Sequence, residues 1–97
     1  MLSAAALAHV FAGRYDEAVS HAERALSERP NSHLALRAAA TSNALSGRLE
    51  QARSFTARLR RIDPAFGVSN LRDVTPLRRP EDRAKYAEGM RLAGLPE

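Results

Sequence analysis

Histidine occurs at His9, His21 and His33, twelve residues apart. Imidazole ligates metals and exchanges protons near neutral pH, so this spacing is the first place to look for chemistry. A metal site needs ligands that converge on one point. Adjacent histidines here fall on different predicted helices, and the chain contains no HxxxH or HExxH pair, so no metal site is expected. The five glycines are scattered as helix punctuation rather than clustered as a phosphate-cradling loop. Nothing resembles a nucleophile elbow. The acid pairs Asp16-Glu17 and Glu81-Asp82 open predicted helices, where the favourable end of the helix dipole accounts for them. With no cysteine, disulfides, thiol chemistry and the usual structural zinc ligands are excluded. The sequence therefore predicts no catalytic residue, no cofactor and no small-molecule substrate, and the chain reads as a non-enzyme.

The remaining chemistry is charge. Fourteen arginines and one lysine against eleven acids give a net charge of +4 over 97 residues. The acids are interspersed with the arginines, so the excess reads chiefly as a solvated surface. Its densest point is RSFTARLRR, with Arg53, Arg60 and Arg61 on one side of a predicted helix and Arg58 at the edge. The alternative is a surface for an acidic partner. Direct nucleic-acid binding is not expected, because no aromatic stacking platform accompanies the charge. The apolar opening MLSAAALAHVFAG lacks a basic leader and is too short to span a bilayer. A cytoplasmic chain with no membrane partner is the expectation, and the abrupt start suggests that Met1 begins an excised segment.

These side chains are positioned by a repeat. GRYDEAVSHAERALSERP begins at Gly13 and GRLEQARSFTARLRRIDP at Gly47, 34 residues later. Shifted by 34, the chain pairs Leu2 with Leu36, Ala6 with Ala40, Ala18 with Ala52, Ala22 with Thr56, Ala25 with Leu59 and Pro30 with Pro64. The matched positions are small, apolar or turn-forming, which is the mark of a packing constraint. Each unit reads as two helices: about 2–12 and 16–29, then 33–45 and 49–62. Gly13 and Gly47 end the first helix of each pair, Pro30 and Pro64 follow the second, and Asn31 or Ser32 caps the third helix. Ala18, Ala22, Ala25 and Leu26 share one face, as do Ala52, Phe55, Leu59 and Ile62. Alanine at 6, 18, 40 and 52 lets the paired helices approach closely.

The period and the Gly–Ala–Pro spacing resemble the tetratricopeptide repeat, whose units are 34 residues long. The matching positions are Leu2, Ala6, Gly13, Ala18, Ala25 and Pro30, then Leu36, Ala40, Gly47, Ala52, Leu59 and Pro64. The family's aromatics in the first helix of each unit are absent: Leu2 and Leu36 replace the common Trp, and His9 and Asn43 the common Tyr. The resemblance implies an all-α, right-handed α-solenoid of two hairpins, 1–30 and 31–64, with 65–97 as a degenerate third hairpin or capping helix. It also implies a concave binding strip of Ser3, Leu7, Val10 and Phe11 from the first helix, with Arg37, Thr41, Ala44 and Leu45 from the third. That strip lacks the Lys/Asn set with which chaperone-binding members clamp a terminal carboxylate.

Residues 65–97 leave the period. A short helix near 68–72 is expected, then an extended VTPL joint and a helix opened by Pro80. Ala84, Ala87, Met90 and Ala93 form its apolar stripe, with Tyr86 and Leu92 beside it, and Gly94 ends it. A solenoid end needs such a cap. RRPEDRAKYAEGMRLAGLPE also resembles the carboxyl end of proteobacterial proteins in which a class III adenylate/guanylate cyclase or winged-helix domain precedes tetratricopeptide repeats. The resemblance implies a non-catalytic protein-interaction module at the end of a signalling protein, binding a protein or peptide segment. The competing reading is a self-association module of a transcriptional regulator, whose partner is a second copy of the chain.

Overall fold

The computed structural model describes residues 13–71 and 79–97. The helix expected over 2–12, with Leu2, Ala6 and His9, lies outside them. The described residues form four α-helices and a 3-10 turn: α1 Tyr15–Glu28, α2 His33–Leu45, α3 Leu49–Ile62, the turn Val68–Asn70 and α4 Pro80–Leu92. No strand occurs among them. The all-α hairpin architecture expected from the repeat is present.

Local chemistry sets the helix ends. The Ser32 side chain accepts the Ala35 N–H at 3.3 Å and caps α2. Gly47 follows α2 with φ +88°, and the next N–H, of Arg48, returns to the Asn43 carbonyl at 2.8 Å. An L side chain resists that backbone conformation, so glycine makes the turn without strain. Gly94 does the same after α4, at φ +92°.

Helix α2 is the centre of the fold. Its ten consecutive residues from Ala35 to Ala44 are all buried. A helix covered on every side must be small or apolar nearly all round, and apart from Arg37 and Asn43 the buried stretch of HLALRAAATSNAL is: alanine, serine and threonine let α1, α3 and α4 close on it together. Leu36 is fully buried, and Ser42 and Asn43 turn their polar groups back onto the Ala38 and Ala39 carbonyls at 2.6 and 2.7 Å. Burying Leu36 contributes about 1.5–3 kcal/mol. Ala18, Ala40 and Ala52 have no exposed surface, as the close-approach reading required. Helices α1 and α3 are tied at both ends, by Arg48 Nη2 to Asp16 Oδ1 at 2.7 Å and Arg58 Nη2 to the Pro30 carbonyl at 2.8 Å.

Two faces differ from expectation. On α3 the buried residues are Ala52, Thr56 and Leu59, while Phe55 is partly buried and Ile62 is 44% exposed. The i, i+4, i+7 row meets α2, and Phe55 and Ile62 stand roughly a fifth of a turn aside. On α4 the buried row is Tyr86, Gly89 and Met90, continued by Ala93, whereas Ala84 and Leu92 are exposed. The short helix expected at 68–72 is a 3-10 turn at Val68–Asn70, and Arg72 is outside the described residues. The carboxyl end straps this turn: Val68 donates to the Pro96 carbonyl at 2.8 Å and Ser69 to the Glu97 carbonyl at 3.2 Å.

Candidate functional site

The face of α2 that the repeat register assigns to binding is the one α4 lies against. Tyr86 meets Arg37 and Met90 meets Thr41, so the two helices run in the same direction. Arg37 is only 5% exposed. Its Nε donates to His33 Nδ1 at 2.9 Å and its Nη1 to the Tyr86 hydroxyl at 3.0 Å. Thr41 Oγ1 donates to Met90 Sδ at 2.9 Å. Gly89 supplies the closest approach, since a Cβ there would stand 2.7 Å from Thr41 Cγ2 and 3.3 Å from Leu45 Cγ.

The expected strip is therefore divided. Ser3, Leu7, Val10 and Phe11 lie outside the described residues. Arg37, Thr41 and Ala44 are buried and Leu45 is half-buried. The third-helix half of the strip is covered within the molecule rather than open to solvent. The physical reason is that α4 offers that face a glycine for close contact, a tyrosine hydroxyl for the guanidinium and a flexible thioether for the gap beside Thr41. Tyr86 and Gly89 were not among the expected site residues. A mid-helix glycine in a sequence otherwise suited to helix was the available signal, because such a residue usually marks a packing contact.

At the start of α2 the network continues. His33 Nε2 lies 3.3 Å from Asp63 Oδ2, and its ring packs edge-on to Phe66 with centroids 4.7 Å apart. The Asp63–His33 pair has the look of a catalytic dyad, but Nδ1 accepts the Arg37 N–H instead of facing a nucleophile. This geometry orients Arg37. Burial is the main cause of a His33 pKa below its ordinary value, followed by the Arg37 charge; the hydrogen bond and charge of Asp63 oppose them. The folded state thus favours neutral His33. Stability from the neutral form is fully present above the unfolded-state pKa near 6.5 and is lost as pH falls through the lower folded-state value. The urea midpoint is expected to fall between about pH 7.5 and about pH 5, and His33→Asn to reduce that fall. An equal fall in His33→Asn would assign the effect to other groups.

Among the described residues no group of three or more His, Cys, Asp or Glu side chains could hold a metal ion, and no helix is long and apolar enough to cross a membrane. His21 is half-buried on α1, and His9 lies outside the described residues. What the site offers is a helix-receiving surface built from small side chains, one hydroxyl and one guanidinium. A family model described as tetratricopeptide repeat matches residues 12–72, well over half of the chain. The match runs past Pro64 through the 3-10 turn, where Phe66, Val68 and Leu71 continue the core. No curated protein and no solved structure matches the chain.

Proposed function

The chain belongs to the tetratricopeptide repeat family, and from that membership we propose that it is the carboxyl-terminal interaction module of a larger bacterial signalling protein, working in the cytoplasm. Tetratricopeptide repeats generally mediate protein–protein interaction and bind protein or peptide partners. The upstream domain in this reading is a class III adenylate/guanylate cyclase, on the resemblance of the tail, and the module itself carries no catalysis. Residues 1–64 form the two repeats and 65–97 the cap.

One observation supports the binding mode: α2 already accepts a helix on the face that the register assigns to ligands, through Arg37, Thr41 and Leu45. With α4 seated there, direct contact with a partner segment falls to Ser3, Leu7, Val10 and Phe11, with Leu45 at the seam. The driving force is apolar burial along the first helix. Selection of a random-peptide library on the full chain tests this. The expected result is a set of apolar peptides whose affinity drops about tenfold or more in Leu7→Asp with Phe11→Asp, while light scattering reports one mass for both proteins. Should those substitutions change only the oligomeric state, the first helix is an association surface and the self-association reading replaces this one.

A further inference from the structure

Helix α3 carries four arginines, Arg53, Arg58, Arg60 and Arg61, and a single acid, Glu50. Arg58 is engaged, with Nη2 on the Pro30 carbonyl at 2.8 Å and its guanidinium 5.7 Å from the centre of the Phe55 ring. Arg53, Arg60 and Arg61 are exposed, and none makes a hydrogen bond or ion pair among the described residues. The other outer helices carry acids alongside their basic residues: α1 has Asp16, Glu17, Glu23 and Glu28 with Arg24, and α4 has Glu81, Asp82 and Glu88 with Arg83, Lys85 and Arg91; Arg48, Arg79 and Arg91 each meet a carboxylate. At 100° per residue Arg53, Arg60 and Arg61 fall within about a third of a turn of one another and share one exposed face of α3.

We propose that this face of α3 docks an acidic segment of a partner protein, with carboxylates on Arg53, Arg60 and Arg61. Guanidinium is the group suited to this: its planar fork takes a carboxylate through two parallel hydrogen bonds, and it sheds water more readily than an ammonium. Arg53 and Arg60 are seven residues apart, about 10 Å along the axis, a span that three extended residues or two helical turns of a partner match. The choice of protein over nucleic acid follows from the aromatic side chains nearby. Phe55 is partly buried beneath Arg58, and Tyr15 has Lys85 over its ring at 5.1 Å, so neither offers a free stacking platform. The proposal uses none of Ser3, Leu7, Val10 and Phe11, and the two proposals stand or fall independently.

The test is fluorescence anisotropy on the full chain with a labelled glutamate-rich peptide of about ten residues, at about 0.05 M salt, where the screening length exceeds that at physiological salt. Saturable binding is expected. Arg53→Glu/Arg60→Glu/Arg61→Glu should weaken it about tenfold or more. Arg14→Glu/Arg24→Glu/Arg29→Glu makes the same change in net charge at other exposed arginines and should leave affinity within about twofold. Equal losses in the two triple variants would reduce the effect to net charge and overturn the proposal. So would tighter binding of a single-stranded oligonucleotide of equal charge, or a wild-type dimer that the α3 triple variant alone dissociates, which would identify a second copy as the occupant.

Discussion

Replacing Gly89 with leucine is expected to dislodge α4 from α2 and to cost about 3 kcal/mol, the upper part of the usual range for overpacking. Leucine is the better helix former by about 0.8–1 kcal/mol, so a Gly89 on an open helix face would give the opposite sign. Contact decides. The new Cβ alone would stand 2.7 Å from Thr41 Cγ2 and 3.3 Å from Leu45 Cγ. Thr41 has little room to yield, being fully buried with its hydroxyl on Met90 Sδ at 2.9 Å. Gly89→Ala should already lower the stability, by about 1 kcal/mol once its propensity gain is subtracted, and with it the urea midpoint. Limited proteolysis should then cut the leucine variant within α4 well before wild type. Ala84→Leu, on the exposed side of the same helix, should leave both measurements near wild type. A raised midpoint in Gly89→Ala would mean that α4 does not sit this close to α2 in solution.

The helix bounds were legible because they are written in adjacent residues. Ser32, Gly47 and Pro80 each act within one turn of where they stand, and α2 and α3 run over the residues that these signals enclose. The internal repeat was legible for a related reason. Alanine at 18, 40 and 52 survives the shift because each has no surface left once its neighbours close. Which side of a helix faces the core was legible only to within a fraction of a turn. Phe55 and Ile62 drew the apolar face of α3 toward themselves by size, whereas the structure buries Thr56, which the repeat pairs with the buried Ala22 but apolar periodicity passes over.

The candidate site was half legible. Register identifies the face of α2 that Arg37, Thr41 and Leu45 share, but not what covers it, since the cover comes from 49 residues along the chain. Hydrophobic periodicity could not find it either. It selected Ala84, Ala87, Met90 and Ala93, while the docking row of α4 begins with a tyrosine and a glycine. Their value lies in what they meet: the glycine in a backbone-to-side-chain approach, the tyrosine in a buried guanidinium. Neither is a local property. Arg37 raised the same difficulty in reverse, because an arginine on a predicted groove reads as a surface charge until a partner for its buried head is seen.

Tyr86→Phe isolates that partner. The substitution keeps the ring, which is 1% exposed, and deletes only the hydroxyl that accepts from Arg37 Nη1 at 3.0 Å. A hydrogen bond to a charged group contributes about 1.5–3 kcal/mol when one side is removed, because a buried guanidinium loses an acceptor that water cannot easily replace. The urea midpoint should fall accordingly with little change in slope. Arg37→Met removes the charge itself, so the hydroxyl has no guanidinium to serve, and adding Tyr86→Phe to it should cost much less than in wild type. The double-mutant cycle is therefore expected to show a coupling of about 1 kcal/mol or more between residues on helices that only tertiary packing brings together. Additive losses would mean that Tyr86 stabilises the fold through its ring alone. Coupling of the expected size would establish that the carboxyl-terminal helix is held to the repeats by polar recognition as well as by burial. That distinction matters for function: a cap held through a guanidinium–hydroxyl contact as well as by packing is specific in register, and the same Arg37 that makes the contact also donates to His33 at the start of α2.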